Sequence, residues 1–143
     1  MWRSDIPAER DAGFVRCASA SFWPGFDLAQ ALCVLGLPER PEALKEISSE
    51  KAQRTLAAVL ARDLAYKSEA MPRERAEQLA QEFVTSQAAA KFYSNGDWEA
   101  YVYGGGDGPR AFGWNYLTGA TFDAGVIAVS AEFASCVWVE DED

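Results

Sequence analysis

Apolar residues in the first two thirds of the chain recur at steps of three and four residues, the spacing of one helical face. Two long helices follow from this pattern. Their apolar positions are Leu56, Val59, Leu60 and Leu64 in the first helix and Ala76, Leu79, Ala80, Phe83 and Val84 in the second. Ser48 or Ser49 is suited to cap the first helix, and Pro72 is suited to open the second.

Two shorter helices are predicted before these. One covers residues 27–35 and ends before Gly36, a residue that favours helix termination. The other is opened by Pro41 and runs to Ile47. Residues 1–91 are therefore predicted to be mainly helical.

From residue 92 onward, short runs of aromatic and β-branched residues replace the helical pattern. Strands are predicted over 98–103, 111–116, 121–129 and 133–140. The glycine-rich segment from Gly104 to Pro109 is predicted to form a flexible hairpin loop, and short connections require antiparallel pairing. We therefore expect a single α+β domain over 1–143, with N-terminal helices packed on a C-terminal antiparallel meander sheet of about four strands.

The last two predicted strands carry apolar residues on both faces of the sheet. Val126 alternates with Ile127, and Ala128 with Val129. One face is expected to meet the helices. The other is either covered by the N-terminal segment or kept for a partner, and the apolar residues of that segment are Phe14, Phe22, Trp23 and Phe26.

The charge of the chain is concentrated in its last third. The 143 residues carry a formal charge of −9 and include no histidine. Residues 1–91 have 12 basic and 13 acidic side chains, whereas residues 92–143 have one basic and nine acidic ones, together with 11 of the 18 aromatic residues. Without histidine there is no Ser-His-Asp triad and no imidazole metal ligand, and the acidic balance argues against nucleic-acid binding.

Other candidate chemistry is weak. Cys17, Cys33 and Cys136 are far apart and are interpreted as small buried thiols in a reducing compartment. Only Cys17 has an adjacent cation, Arg16. The glycine cluster lacks the lysine of a phosphate-binding loop. With no secretory signal and no apolar run long enough for a membrane helix, we expect a cytoplasmic protein without membrane association, metal or cofactor.

Carboxylates leave one catalytic alternative open. Asp97 and Glu99 would share one side of a strand, and Asp123 precedes another, so an acid–base pair of carboxylates is the catalytic alternative. The closing run from Glu140 to Asp143 is either a solvated tail or part of an electrostatic interface. No catalytic residue is assigned.

Binding to a protein partner is the function that this composition favours. Aromatic side chains supply contact area at interfaces, and carboxylates around them steer a basic partner. Trp114 and Phe122 are expected in the core, whereas tyrosines are better placed at a wet rim. The predicted partner-binding residues are Glu99, Tyr101, Tyr103, Asp107, Tyr116, Glu140 and Asp141.

In overall character, the closing stretch from Trp114 through Ile127 to Asp143 resembles the small bacterial immunity proteins that neutralise a toxin delivered between cells. The resemblance implies a non-enzymatic inhibitor that occludes the active site or basic cleft of a cognate toxin or effector. Two alternatives remain open: an adaptor or chaperone for a secreted effector or phage component, and a small carboxylate-dependent enzyme. Whether the protein is a monomer or a dimer is also open.

Overall fold

The computed structural model describes residues 2–21, 27–87, 89–104 and 114–142. The α-helices of this part of the chain are α1 (Trp2–Glu9), α2 (Leu28–Val34), α3 (Ser49–Ala61), α4 (Arg73–Thr85) and α5 (Trp98–Tyr103). The strands are β1 (Phe14–Ser21), β2 (Lys45–Ile47), β3 (Lys91–Ser94), β4 (Phe122–Val129) and β5 (Phe133–Asp141). The architecture is α+β, as the sequence predicts, but the sheet has five strands rather than four.

All five strands pair antiparallel, in the order β1-β5-β4-β3-β2. A tight turn joins β4 to β5, and the Ser130 amide donates to the Phe133 carbonyl oxygen across it at 2.8 Å. β1 pairs with β5 residue for residue, from Phe14 opposite Glu140 to Ser21 opposite Phe133. The first strand of the chain therefore lies at one edge of the sheet, and the three-residue β2 lies at the other.

The two long helices form where the apolar periodicity predicts them, except that α3 ends at Ala61, before Leu64. The Ser48 hydroxyl accepts a hydrogen bond from the Lys51 amide at 3.1 Å and so caps α3. α4 begins directly after Pro72. Phe83 of α4 is fully buried, with its ring centroid 4.8 Å from that of Trp2 in an edge-to-face contact.

Both faces of the sheet are covered. On the first face, α1, α3 and α4 pack on alternate residues of the central strands, among them Val126, Ala128 and Val137. On the second face, α2 and the segment that follows it contribute Leu32, Leu35 and Leu37, which pack with Leu117, Ile127 and Trp138. The helices thus meet one face as predicted. The second face is covered by α2, and Phe14, which was expected to help cover it, is 53% exposed. The other three residues of that expectation, Phe22, Trp23 and Phe26, lie outside the described residues.

Two predicted elements are wrong. Residues 98–103 form α5 rather than a strand, because Trp98, Tyr101 and Val102 are buried together at helical spacing, although each favours strands by propensity. The predicted helix over 41–47 is a single 3-10 turn (Pro41–Ala43) followed by β2. The segment after Pro41–Ala43 is a strand because Ile47 pairs with Phe92 of β3, which places it at the edge of the sheet.

Three elements were not predicted: α1, β1 and β3. β1 is built largely of small residues, which carry little hydrophobic alternation, and it becomes a strand by pairing with β5. In the strand predicted over 111–116, Trp114 forms only an isolated bridge with Gly96, and residues 111–113 lie outside the described part. The loop predicted at Gly104–Pro109 lies outside it too, apart from Gly104, which caps α5.

Candidate functional site

The C-terminal end of β5 meets the starts of two neighbouring strands. Glu140 lies opposite both Phe14 of β1 and Asp123 of β4, and Asp141 lies opposite Phe122. Because antiparallel neighbours run in opposite directions, this end of the sheet gathers residues that are far apart in the chain. We call it the Glu140 end.

A cavity of about 420 Å³ opens at the Glu140 end. It is lined by Gly13, Phe14, Asp63, Glu140, Asp141 and Glu142, and we call it the acidic groove. Asp63 and Glu140 are partly exposed and Glu142 is exposed. Within the described residues, none of these three carboxylates forms an ion pair. The groove therefore combines uncompensated negative charge with the exposed ring of Phe14.

Some oxygens of the acidic groove are committed to local structure. Asp63 Oδ1 accepts hydrogen bonds from the amides of Ala65 and Tyr66 at 2.8 and 3.3 Å, which fixes the turn after α3. The Glu142 carboxylate accepts hydrogen bonds from the amide and the hydroxyl of Thr121. These bonds orient the carboxylates but neutralise no charge, so the groove remains negative.

Asp141 belongs to the interior rather than to the surface. It is only 1% exposed, and its two oxygens receive Arg10 Nη1 and Nη2 at 2.8 and 2.7 Å. The Leu64 amide donates a third bond to Oδ2 at 2.9 Å. The bidentate geometry is the strongest that a carboxylate and a guanidinium form. Asp141 is thus a structural residue, and we remove it from the predicted contact surface.

All five N–H donors of Arg10 have acceptors. Besides the Asp141 carboxylate, the guanidinium donates to the carbonyl oxygens of Val59, Ala12 and Arg62, at distances between 2.8 and 3.1 Å. These bonds tie the end of α1 to the end of α3 and to β5. Gly13 makes room for the arrangement: its φ is +57°, and a Cβ atom there would lie 2.0 Å from Asp141 Oδ1.

An aromatic cluster lies beside the Asp141 pair. Its rings are Trp98, Tyr101, Trp114, Tyr116 and Phe122, with centroid separations between 5.2 and 6.4 Å. The Tyr101 hydroxyl donates to the Leu64 carbonyl oxygen at 2.7 Å. Burial, followed by the charge of Asp63, raises the pKa of Tyr101.

The burial of the cluster differs from the prediction in part. Phe122 is buried as expected, and Trp114 is partly buried. Tyr116 is 48% exposed, in agreement with a rim position. Tyr101 is only 5% exposed, so its assignment to the surface is wrong. Its position three residues after Trp98 on α5 turns both rings toward α3, which explains the burial.

Glu99 and Tyr103 line a different cavity, of about 270 Å³, between α3, α4 and α5. Arg54 Nε lies 3.2 Å from Glu99 Oε1, and the guanidinium of Arg73 lies 4.3 Å from the ring centroid of Tyr103. Charges here are largely paired. The structure therefore separates these two residues from Glu140, and Asp107 lies outside the described residues.

The second catalytic candidate, Asp123, is fully buried in the sheet. Its Oδ1 accepts hydrogen bonds from the Leu117 amide at 3.0 Å and from Trp138 Nε1 and Asn95 Nδ2 at 3.3 Å. Burial raises the pKa of Asp123, against hydrogen bonds from Leu117, Thr118 and Trp138, which lower it. Asp97 is exposed at the N-terminal end of α5, and Glu99 lies in the first turn of that helix, so these two carboxylates do not share one side of a strand as predicted.

The thiols show no activation. Burial raises the pKa of both Cys17 and Cys136 to about 12. Cys17 points into the core on the side of the sheet opposite Arg16, because successive side chains of a strand alternate. Cys33 is exposed, which corrects the expectation that all three thiols are buried.

Comparisons with protein-family models, with curated proteins and with solved structures give no match. Among the described helices, none has the length and apolar character needed to cross a membrane. Within the same residues, no group of three or more acidic or cysteine side chains is placed to hold a metal ion.

Sequence reasoning missed Asp63, Phe14 and Arg10 as parts of this end of the sheet. Arg10 has no local signal, since its role comes from its contact with Asp141 of β5, and the hydrogen bonds of Asp63 within its own turn do not indicate that the turn lies at the groove.

Proposed function

We propose that the chain is a non-enzymatic, cytoplasmic binding protein of the immunity type, which inhibits a bacterial toxin by covering its basic cleft. The observation that supports this most directly is the acidic groove. Three carboxylates, Asp63, Glu140 and Glu142, lie around one cavity without ion pairs in the described part of the chain. A free acidic concavity suits a cationic protein surface.

Charge in such a concavity acts before contact. Carboxylates on low-dielectric walls focus the potential and accelerate association with an oppositely charged protein. At physiological ionic strength the Debye length is about 8 Å, so the attraction acts over the last approach and weakens with added salt. The exposed Phe14 ring, which also lines the groove, supplies an apolar contact beside these carboxylates.

A matched pair of charge reversals tests the proposal. Glu140→Lys places a cation in the acidic groove, whereas Glu132→Lys makes the same change of charge at an exposed site before the opposite end of β5. Proteins captured by the chain at about 50 mM salt and released at about 500 mM are identified, and their association rates with the variants are measured.

We expect Glu140→Lys to slow association with the captured protein by about tenfold or more, and Glu132→Lys to change it little. The wild-type chain should inhibit the activity of that protein in stoichiometric amounts. Equal effects of the two reversals, or binding without inhibition, would contradict the proposal.

A further inference from the structure

Among the described residues, the long outer strand of the sheet has one side without a paired strand. β1 pairs with β5 through all eight of its residues, and no described strand pairs with its other side. The side chains between its terminal residues are only partly buried, whereas those of β5 are mostly buried. An edge strand of this kind presents backbone N–H and C=O groups to which an extended segment of another protein can add.

β1 lacks the features that commonly protect an edge. Its register with β5 contains no bulge, it has no proline, and its one charged residue is Arg16. Its last five residues, Cys17 to Ser21, are all small, which allows a neighbouring backbone to approach. β2, at the other edge, is only three residues long and carries Lys45 and Glu46.

The charge next to β1 indicates what the edge accepts. Phe14 both begins β1 and lines the acidic groove, so a segment added to the other side of β1 has one end beside the groove, with β1 between it and Glu140. A second copy of the chain would bring another charge of −9 to the same place, which disfavours it.

We propose that an extended segment of the partner, bearing lysine or arginine, adds to the open side of β1 as a sixth strand. The basic side chain at the end of the segment beside Phe14 then extends into the acidic groove. This inference rests on the proposed function for the basic character of the partner. What it adds is the binding geometry, in which main-chain hydrogen bonds along β1 supply affinity and the groove supplies selectivity.

Amide hydrogen exchange on the full chain, read by NMR, tests the geometry with a defined probe. The probe is an end-capped, eight-residue peptide of alternating lysine and valine, and the same peptide with glutamate in place of lysine is the charge control. At a probe concentration of about ten times its Kd, exchange of alternate amides within residues 14–21 should slow by about tenfold. The glutamate peptide should have no effect.

Three results would overturn strand addition. They are an absence of probe binding, slowed exchange elsewhere with β1 unchanged, and a dimeric mass of the free chain with its β1 amides already protected. None of these three results affects whether Glu140→Lys slows association with the captured partner. Strand addition can therefore fail while the proposed function stands, and the two failures are distinguishable.

Proline variants supply an independent test. Consecutive residues of an edge strand direct their N–H groups alternately toward the neighbouring strand and away from it. Of Ala18→Pro and Ser19→Pro, one therefore removes a bond to β5 and the other removes only an outward donor. The variant that keeps wild-type thermal stability should lose binding of the lysine peptide. If that variant binds the lysine peptide as the wild type does, the inference is overturned. If both proline variants unfold, the amide hydrogen exchange of the wild-type chain with the lysine peptide decides whether β1 is the binding site.

Discussion

Asp141→Asn is predicted to destabilise the fold strongly, although the residue belongs to the acidic run 140–143. Its carboxylate accepts three hydrogen bonds in the interior, two from Arg10 and one from the Leu64 amide. Asparagine preserves the size of the side chain but replaces one acceptor oxygen with an NH₂ group. That group would face a donor, and the guanidinium would lose its counter-charge.

The size of the loss follows from the burial of Arg10. Its side chain is 0% exposed, and a guanidinium stays protonated, so the variant leaves a buried cation without an anion. Removing one partner of a buried ion pair costs about 3–5 kcal/mol. Since the carbonyl oxygens of Val59, Ala12 and Arg62 still hold the guanidinium, we expect about 3 kcal/mol, the lower end of that range.

Urea unfolding followed by circular dichroism at neutral pH measures this loss. Glu142→Gln is the matched control, because it removes one negative charge from the next residue, whose side chain is exposed. We expect the control to change the free energy of unfolding by less than about 1 kcal/mol. If the two variants agree within about 0.5 kcal/mol, the stabilising role assigned to the Asp141 pair is refuted.

Three further predictions concern single residues. Gly13→Ala should lower the free energy of unfolding, measured by thermal unfolding, by about 2 kcal/mol or more, because φ of Gly13 is +57° and the new Cβ would lie 2.0 Å from a carboxylate oxygen. Gly119→Ala is the control and should be nearly neutral, because there is open space around Gly119. Iodoacetamide at about pH 8 should alkylate the exposed Cys33 of the folded protein. It should leave Cys17 unmodified, because burial raises the pKa of that thiol to about 12. Equal labelling of the two cysteines, measured by mass spectrometry, would contradict this prediction. Burial raises the pKa of Asp123 above its ordinary value of 3.8, so its contribution to stability is present below that value and is lost as the pH rises to the folded-state pKa. Asp123→Asn should remove this slope from the free energy of unfolding as the pH rises above about 4, and an unchanged slope would contradict the assignment.

Elements with strong local signals could be predicted from the sequence. α3 and α4 have a clear apolar stripe and a recognisable start, at Ser48 and Pro72. β4 and β5 combine aromatic with β-branched residues and are joined by a short turn. Each of these elements is specified by residues within its own span, so no tertiary information was needed.

The other elements depend on partners elsewhere in the chain. β1 has weak hydrophobic alternation and is a strand because β5 pairs with it. Residues 98–103 have strand propensity but form α5, since the Trp98 indole donates to Asn95 Oδ1 and its ring packs with that of Tyr101. In both cases tertiary contacts override local preference.

The candidate site could be predicted only as a concentration of charge. The sequence indicates that acidic and aromatic residues accumulate after residue 92, and Glu140 does reach the acidic groove. It does not indicate that Asp63, from the turn after α3, completes that groove. Nor does it show that Arg54 compensates Glu99, because an ion pair between residues 45 positions apart leaves no local pattern.

The alternation of β5 explains how one acidic run serves two purposes. β5 continues through Asp141, so consecutive carboxylates point to opposite faces of the sheet. Asp141 turns inward to Arg10 and anchors the end of the strand, while Glu140 turns outward beside Phe14. A flexible tail could not fix Glu140 against β1 in this way. The buried pair therefore holds the outer carboxylate at the place where the open edge and the acidic groove meet, and the proposed strand addition requires that position.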